Sequence, residues 1–174
     1  MIITIGGLIA SGKTTLAKKI SAKFNFEHIS AGKIMRDMAA ERGMSVVEFS
    51  IYAQGNHKID NEIDRLQKER AQKAQNCVVD GRISAFILKP DLGIWLKAPL
   101  ATRVKRAMLR DNSKDEIEII GREDSEKKRY SEIYGINLNN TEIYDLIIDT
   151  EKFGIGETTD IAIAAIETYI RNHN

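Results

Sequence analysis

The first five residues, Met1-Ile2-Ile3-Thr4-Ile5, form a β-branched run closed by Gly6-Gly7, the pattern of a buried strand. From Lys13 the period changes: Leu16, Ile20 and Phe24 recur every four residues, which predicts an amphipathic helix up to about Lys23. A second short strand is predicted over Phe26 to Ile29. Helices are predicted over Gly32 to Arg42 and Ser45 to Ala53, around the breaker Gly43, followed by a longer polar helix from about Lys58 to Gln75. Cys77-Val78-Val79-Asp80 is a compact apolar run that ends in an acid before Gly81, and it reads as a buried strand. Leu92 to Leu96 is the next strand, with Pro99 well placed at the start of the helix after it. Ile143 to Ile148 supplies a fifth strand, and Asp160 to Ile170 a closing helix through Ile163, Ile166 and Ile170. Strands alternating with helices predict right-handed crossovers and a mostly parallel, five-stranded sheet covered on both faces, a three-layer α/β architecture. The stretch from Asp111 to Tyr134 has few apolar residues and dense charge of both signs, and is expected to protrude as a mobile helical element.

Composition narrows the class. A chain of 174 residues has the length of one domain and can remove about 70% of its unfolded surface from water. Hydrophobic residues at 43% with charged residues at 29% exclude collagen-like, mucin-like and disordered readings. A net charge of +1 argues against a nucleic-acid partner held by bulk charge. The single cysteine, Cys77, has no internal partner, which suits a reducing compartment. Met1 to Ala10 lacks a basic flank and is far shorter than a bilayer span. The expectation is a cytoplasmic monomer with no membrane partner.

Chemistry enters at the first turn. Gly7-Leu8-Ile9-Ala10-Ser11-Gly12-Lys13-Thr14 matches the eight-residue P-loop pattern, and it sits between a strand and an amphipathic helix as its mechanism demands. Backbone N–H groups there curl around a phosphate, and the following helix turns its positive end toward it. Lys13 can reach the β- and γ-phosphates, and the Thr14 hydroxyl can coordinate Mg²⁺. Asp80, at the C-terminal end of a strand beside the P-loop strand, is placed to hold a Mg²⁺-bound water, or else caps or pairs with Arg82. The fold expected is therefore the three-layer P-loop NTPase fold. A regulatory GTPase needs a guanine-reading Asn-Lys-x-Asp segment, which Ile148-Asp149-Thr150-Glu151-Lys152 lacks.

Ser30-Ala31-Gly32-Lys33-Ile34-Met35-Arg36 resembles the Ser-x-Gly-x-x-x-Arg segment of nucleoside monophosphate kinases, whose arginine grips the acceptor phosphate. Val78-Val79-Asp80-Gly81-Arg82 is similar to the strand-Asp-Gly-Arg element of cytidylate kinases. Ala101-Thr102-Arg103-Val104-Lys105-Arg106 looks like their Arg-x-x-Arg helix, and Arg122-Glu123-Asp124-Ser125-Glu126-Lys127-Lys128-Arg129-Tyr130 like their lid. The resemblance covers nearly the whole chain and is closest to the short archaeal-type cytidylate kinases. Leu8-Ile9-Ala10 stands where the pattern usually has Pro-Pro-Gly, Lys33 where an acid is commoner, and Ile83 where bacterial members have Asp.

The resemblance implies ATP- and Mg²⁺-dependent phosphorylation of CMP or dCMP. It places ATP on Gly7 to Thr14 with Thr15, the acceptor on Ser30, Arg36, Asp60, Arg82 and Asp124, the metal on Thr14 and Asp80, and catalysis on Lys13, Arg122 and Arg129. Helices within residues 30–75 would fold over the monophosphate, and residues 111–134 would form the lid. Arginine suits two converging polyanions because its fork binds phosphate in a bidentate manner. Arg103, Arg106 and Arg110 share one helix face, as do Arg122 and Arg129; pairing with Asp111, Asp115, Glu118 or Glu126 is the alternative. Asp60, Asn61, Asp64 and Arg65 are candidates to read the pyrimidine, and Thr150 to Phe153 to pack on adenine. An adenylate or shikimate-type kinase, or a non-catalytic nucleotide-binding module, remains the alternative. His28, His57 and His173 have no ligand spacing, and Cys77, Phe86 and Trp95 read as core.

Overall fold

The computed structural model describes residues 1–54, 56–110 and 116–173, and of these the side chains of Val47 and Arg110 lie outside the description. Five strands, β1 (Ile2–Gly7), β2 (Glu27–Ser30), β3 (Cys77–Asp80), β4 (Leu92–Lys97) and β5 (Leu146–Asp149), form one sheet in the order β2-β3-β1-β4-β5. All four pairings are parallel. Parallel neighbours need crossovers, which helices supply: α1 (Lys13–Phe24), α2 (Ala31–Glu41), α3 (Val46–Gln54), α4 (His57–Lys73), α5 (Ser84–Leu88), α6 (Leu100–Arg110), α7 (Glu116–Tyr134) and α8 (Ile155–His173). Among the described residues, no helix is long and apolar enough to cross a membrane.

Alternation along the strands splits the core into two layers. Leu16 and Ile20 of α1, with Ala162 and Ile166 of α8, pack on Ile3, Ile5, Val78 and Ile94. On the other face Ile34 and Met38 of α2, Phe49 of α3, and Ile59 and Ile63 of α4 close over Ile29, Cys77 and Val79. Cys77 is fully buried there, and burial pushes its thiol up to about 11. The C-terminal ends of β1, β2 and β3 align, since Asp80 pairs with both Ile5 and Ser30. That register sets the site.

Several predicted boundaries move. The closing helix begins at Ile155 instead of Asp160, and β5 starts at Leu146 because Tyr144 turns in to meet Trp95, ring centroids 5.0 Å apart. The five-residue α5 was too short to leave a periodic signal. Of the charged segment 111–134, residues 111–115 lie outside the described residues, and with them Asp111 and Asp115; the side chain of Arg110 does too. The rest forms α7, most of whose residues are exposed or half-buried. Helix α7 buries Ile119, Glu126 and Arg129, because its charged residues find partners across a cleft that the sequence does not display.

Gly6 lies where β1 runs beneath an aromatic pair: a Cβ there would stand 2.6 Å from Trp95 Cε3 and 2.5 Å from the Tyr144 hydroxyl. Gly6→Ala is expected to destabilise the fold by about 1–3 kcal/mol, since two packed rings cannot both withdraw. Urea unfolding followed by Trp95 fluorescence measures this; an unchanged midpoint would show that the rings yield freely.

Candidate active site

The chain leaves β1 at Gly7 and enters α1 at Lys13, so the intervening loop curls at the open ends of the strands. Gly7 takes φ 145°, and a Cβ there would press on Ser11 Oγ and the Leu96 carbonyl. Ala10 is also left-handed, φ 58°, which costs an alanine about 1–2 kcal/mol. Lys13 folds back over the loop, its Nζ donating to the carbonyls of Gly7 (2.8 Å) and Leu8 (2.7 Å). Burial of the ammonium and the neighbouring Arg82 push Lys13 down to about 7.

Asp80 faces this loop from the end of β3. Its Oδ2 accepts a hydrogen bond from Thr14 Oγ1 (2.5 Å), and its Oδ1 lies 2.9 Å from His28 Nε2. Burial would raise the Asp80 pKa, but hydrogen bonds from His28, Thr14 and Ser30 outweigh it and hold the carboxyl below its usual range. An ionised carboxylate beside a hydroxyl is the hard oxygen pair that Mg²⁺ prefers, with phosphates and waters completing its shell. No ion pair joins Asp80 to Arg82. His28 was passed over because nothing in the spacing of residues 28 and 80 links them; the β2–β3 pairing does.

Two cavities meet at Ala10, Lys13 and Thr14. The first, about 530 Å³, continues along Ser11, Gly12 and Thr15 to Thr150, Phe153, Ile155 and Thr158. Phe153 and Ile155 are 42% and 46% exposed there, an apolar wall that the added first turn of α8 helps to build. Arg106 braces this wall by donating to the hydroxyl (2.9 Å) and carbonyl of Thr150. Arg103 is 4% exposed and donates to the carbonyls of Ala98 and Ile9 and to Glu123. These two arginines therefore hold the loops in place.

The second cavity, about 150 Å³, gathers Arg36, Arg82, Arg122 and Arg129 with Asp60, Asp64, Asp80 and Glu126. Glu126 meets Arg82 and also Arg122, whose Nε is 3.0 Å from its Oε1. Arg129 Nε lies 2.8 Å from Asp60 Oδ2, both side chains nearly fully buried. Burial, reinforced by Arg122 and Arg129, pushes Arg82 down to about 10 despite the nearby Tyr130 and Glu123. Burial holds Asp60 above the usual carboxylate range even beside Arg129. It takes Asp64 up to about 6, although Tyr134 donates a hydrogen bond to it.

Of the proposed base readers, Asp60 and Asp64 line this cavity, Asn61 is exposed, and Arg65 pairs outside it with Glu62 and Glu69. Gln67 and Ser84, joined by a 2.7 Å hydrogen bond, also line it; a buried glutamine in a polar helix carried no earlier signal. Ser30 caps α2 through the Lys33 amide (3.3 Å) and lines neither cavity. Asp124 is exposed and lines neither; Glu123 and Glu126 on the same helix turn inward instead. Thr15 is exposed at the mouth of the first cavity.

The model of the cytidylate kinase-like family matches residues 2–152. The chain is 49% identical to the cytidylate kinase of Methanocaldococcus jannaschii and 48% identical to that of Methanosphaera stadtmanae, each over 96% of this chain and 98% of the relative. Among solved structures, shikimate kinase from Bacteroides thetaiotaomicron superimposes with a TM-score of 0.66 at 14% identity, covering 98% of both chains. Deoxyadenosine kinase from M. mycoides with bound dATP gives 0.57 at 17% identity, over 96% of this chain and all (100%) of that one. The structural likenesses establish a P-loop kinase fold, and the sequence matches go further: this chain belongs to the cytidylate kinase-like family.

Proposed function

We propose that the protein transfers the γ-phosphoryl group of ATP to CMP or dCMP, giving ADP and the cytidine diphosphate. The observation that carries this reading is the meeting of two unlike clefts at one lysine. One is long, with an apolar wall, and suits the donor nucleotide; the other is small and arginine-lined, and its cations suit the phosphate group of an acceptor. The names of the relatives support cytidine as the base.

The donor triphosphate lies in the loop from Gly7 to Thr14, with Phe153 and Ile155 against its base. Lys13 leaves the Gly7 and Leu8 carbonyls to reach the β- and γ-phosphates. Thr14 and Asp80 would hold Mg²⁺, which supplies charge neutralisation across the donor phosphates. Arg36 and Arg82 seat the acceptor's phosphate, while Asp64, Gln67 and Ser84 face its base. An acceptor phosphate oxygen, already ionised, attacks the γ-phosphorus in line as the bond to the β-phosphate oxygen breaks. Arg122 and Arg129 spread the charge that develops on the transferred group. Helices α2 to α4 act as the acceptor-binding region and α7 as the lid that excludes water.

An ADP-release assay with ATP across CMP, dCMP, UMP, AMP, GMP and shikimate tests the reading. The cytidine acceptors are expected to dominate; turnover confined to AMP or shikimate would reassign the enzyme, and none at all would favour a nucleotide-binding module.

Arg129→Lys keeps a charge opposite Asp60 but loses the guanidinium fork, so kcat is expected to fall by about a hundredfold while ATP affinity holds. Unchanged kcat would remove Arg129 from the catalytic set.

Lys13 generates a pH prediction. In the free enzyme it loses its proton near pH 7. Bound phosphate favours the charged form and raises that value. ATP binding should therefore take up close to one proton at pH 9 and much less at pH 6, weakening as pH rises through that window. Calorimetry in buffers of different ionisation enthalpy reads the uptake directly; equal uptake at both pH values would contradict the assignment.

A further inference from the structure

The acceptor cleft carries five cationic side chains, Lys13, Arg36, Arg82, Arg122 and Arg129, in about 150 Å³. Nucleotide-sized ligands occupy pockets of about 300 Å³ and more, so this arginine-lined part cannot hold a whole monophosphate as it stands, although it adjoins a cavity of about 650 Å³ that shares Thr14, Gly32, Met35, Arg36 and Arg122. What fills it is protein. Glu126, with a side chain 3% exposed, projects from α7 into the arginines and engages both Arg82 and Arg122. The match is incomplete on both sides: among the described residues Arg82 Nε, Arg129 Nε and Arg129 Nη1, but also Glu126 Oε2 and Asp60 Oδ2, are buried with no hydrogen-bond partner. The Glu126 carboxylate thus stands beside Arg82 and Arg122 without satisfying all their donors, in the place where a phosphate with three acceptor oxygens would.

Resting on the acceptor assignment above, we propose that Glu126 is a positioning residue that stands in for the acceptor's phosphate. Its carboxylate neutralises Arg82 and Arg122 while the cleft is empty and is exchanged for the incoming phosphate. The physical reason is the cost of the empty state. Buried guanidinium groups left without a counter-charge repel one another, and removing one member of a buried ion pair is strongly destabilising because it leaves the other charge uncompensated. Because Glu126 sits on α7, its displacement frees that helix to move with respect to Arg82. Lid movement and acceptor arrival then become one event, and Arg122 stays engaged by protein until an acceptor arrives.

The test is Glu126→Gln, which keeps the shape and removes the charge. With MgADP saturating the donor site, inorganic phosphate is titrated calorimetrically and by its effect on Tm. The variant is expected to melt lower than the wild type without phosphate, to regain most of that loss with phosphate, and to bind phosphate at least fivefold more tightly. Its KM for CMP should fall in the same direction. Glu132→Gln, an exposed acid on the same helix, controls for bulk charge and should shift phosphate affinity less than twofold. Phosphate affinity unchanged or weakened in Glu126→Gln, or raised equally by Glu132→Gln, overturns the proposal. If Glu126→Gln does not fold, Glu126→Asp, which withdraws the carboxylate by one methylene, must show the same tightening to a smaller degree. Phosphate binding is read without turnover, so failure of the CMP assignment and failure of the exchange are separable.

Discussion

Like charge crowded into a shallow volume is the constraint around which the molecule is arranged. Catalysing transfer between two polyanions requires several fixed cations and oriented amides within a few ångströms, and the same cations repel one another when no substrate is present. The protein meets this with internal carboxylates. Glu126 answers Arg82 and Arg122, Asp60 answers Arg129, and Glu123 answers Arg103 and the Ile9 amide. Apart from Glu126–Arg122, which lies within α7, these contacts tie that helix to other parts of the molecule: to the turn after β3, to α4, to α6 and to the phosphate loop. Charge balance and the position of α7 are therefore one problem with one solution.

The sheet makes this concentration of charge possible. Parallel strands deliver all their C-terminal ends to one edge, where the helices that follow present free backbone amides. Asp80 and Thr14 come together there because β3 lies beside β1, and His28 joins them because β2 lies beside β3. His28 and Thr14 occupy different oxygens of one carboxylate, which fixes its orientation as well as its charge. The left-handed Ala10 shows that the loop's path is imposed by these surroundings, since an alanine does not choose that backbone unaided.

The main chain of the reading was open in the amino-acid order. Strands with β-branched runs, the helix spacing after Lys13 and the phosphate loop are local patterns, and local patterns survive in a linear text. Boundaries were weaker where a side chain's partner is remote: Tyr144 leaves the β5 run to pack on Trp95, and the first turn of α8 carries no periodic apolar signal. Within the acidic cluster of α7, Asp124 looked as good a ligand as its neighbours, yet it points to solvent while Glu123 and Glu126 turn inward.

By itself the sequence determined an α/β sheet, a phosphate-binding turn and a supply of arginines at helical spacing, because each of these depends on residues near one another along the chain. Only the tertiary structure decided which arginines face the cleft. Arg103 and Arg106 share a helix face just as Arg122 and Arg129 do, yet the first pair is spent on loop groups, with Arg106 at the wall of the larger of the two cavities that meet at Lys13, and the second opens on the small arginine-lined one. Periodicity fixes how side chains lie relative to each other on one helix. It says nothing of what stands opposite, and for a charged group that neighbour decides whether it braces the fold or binds a phosphate.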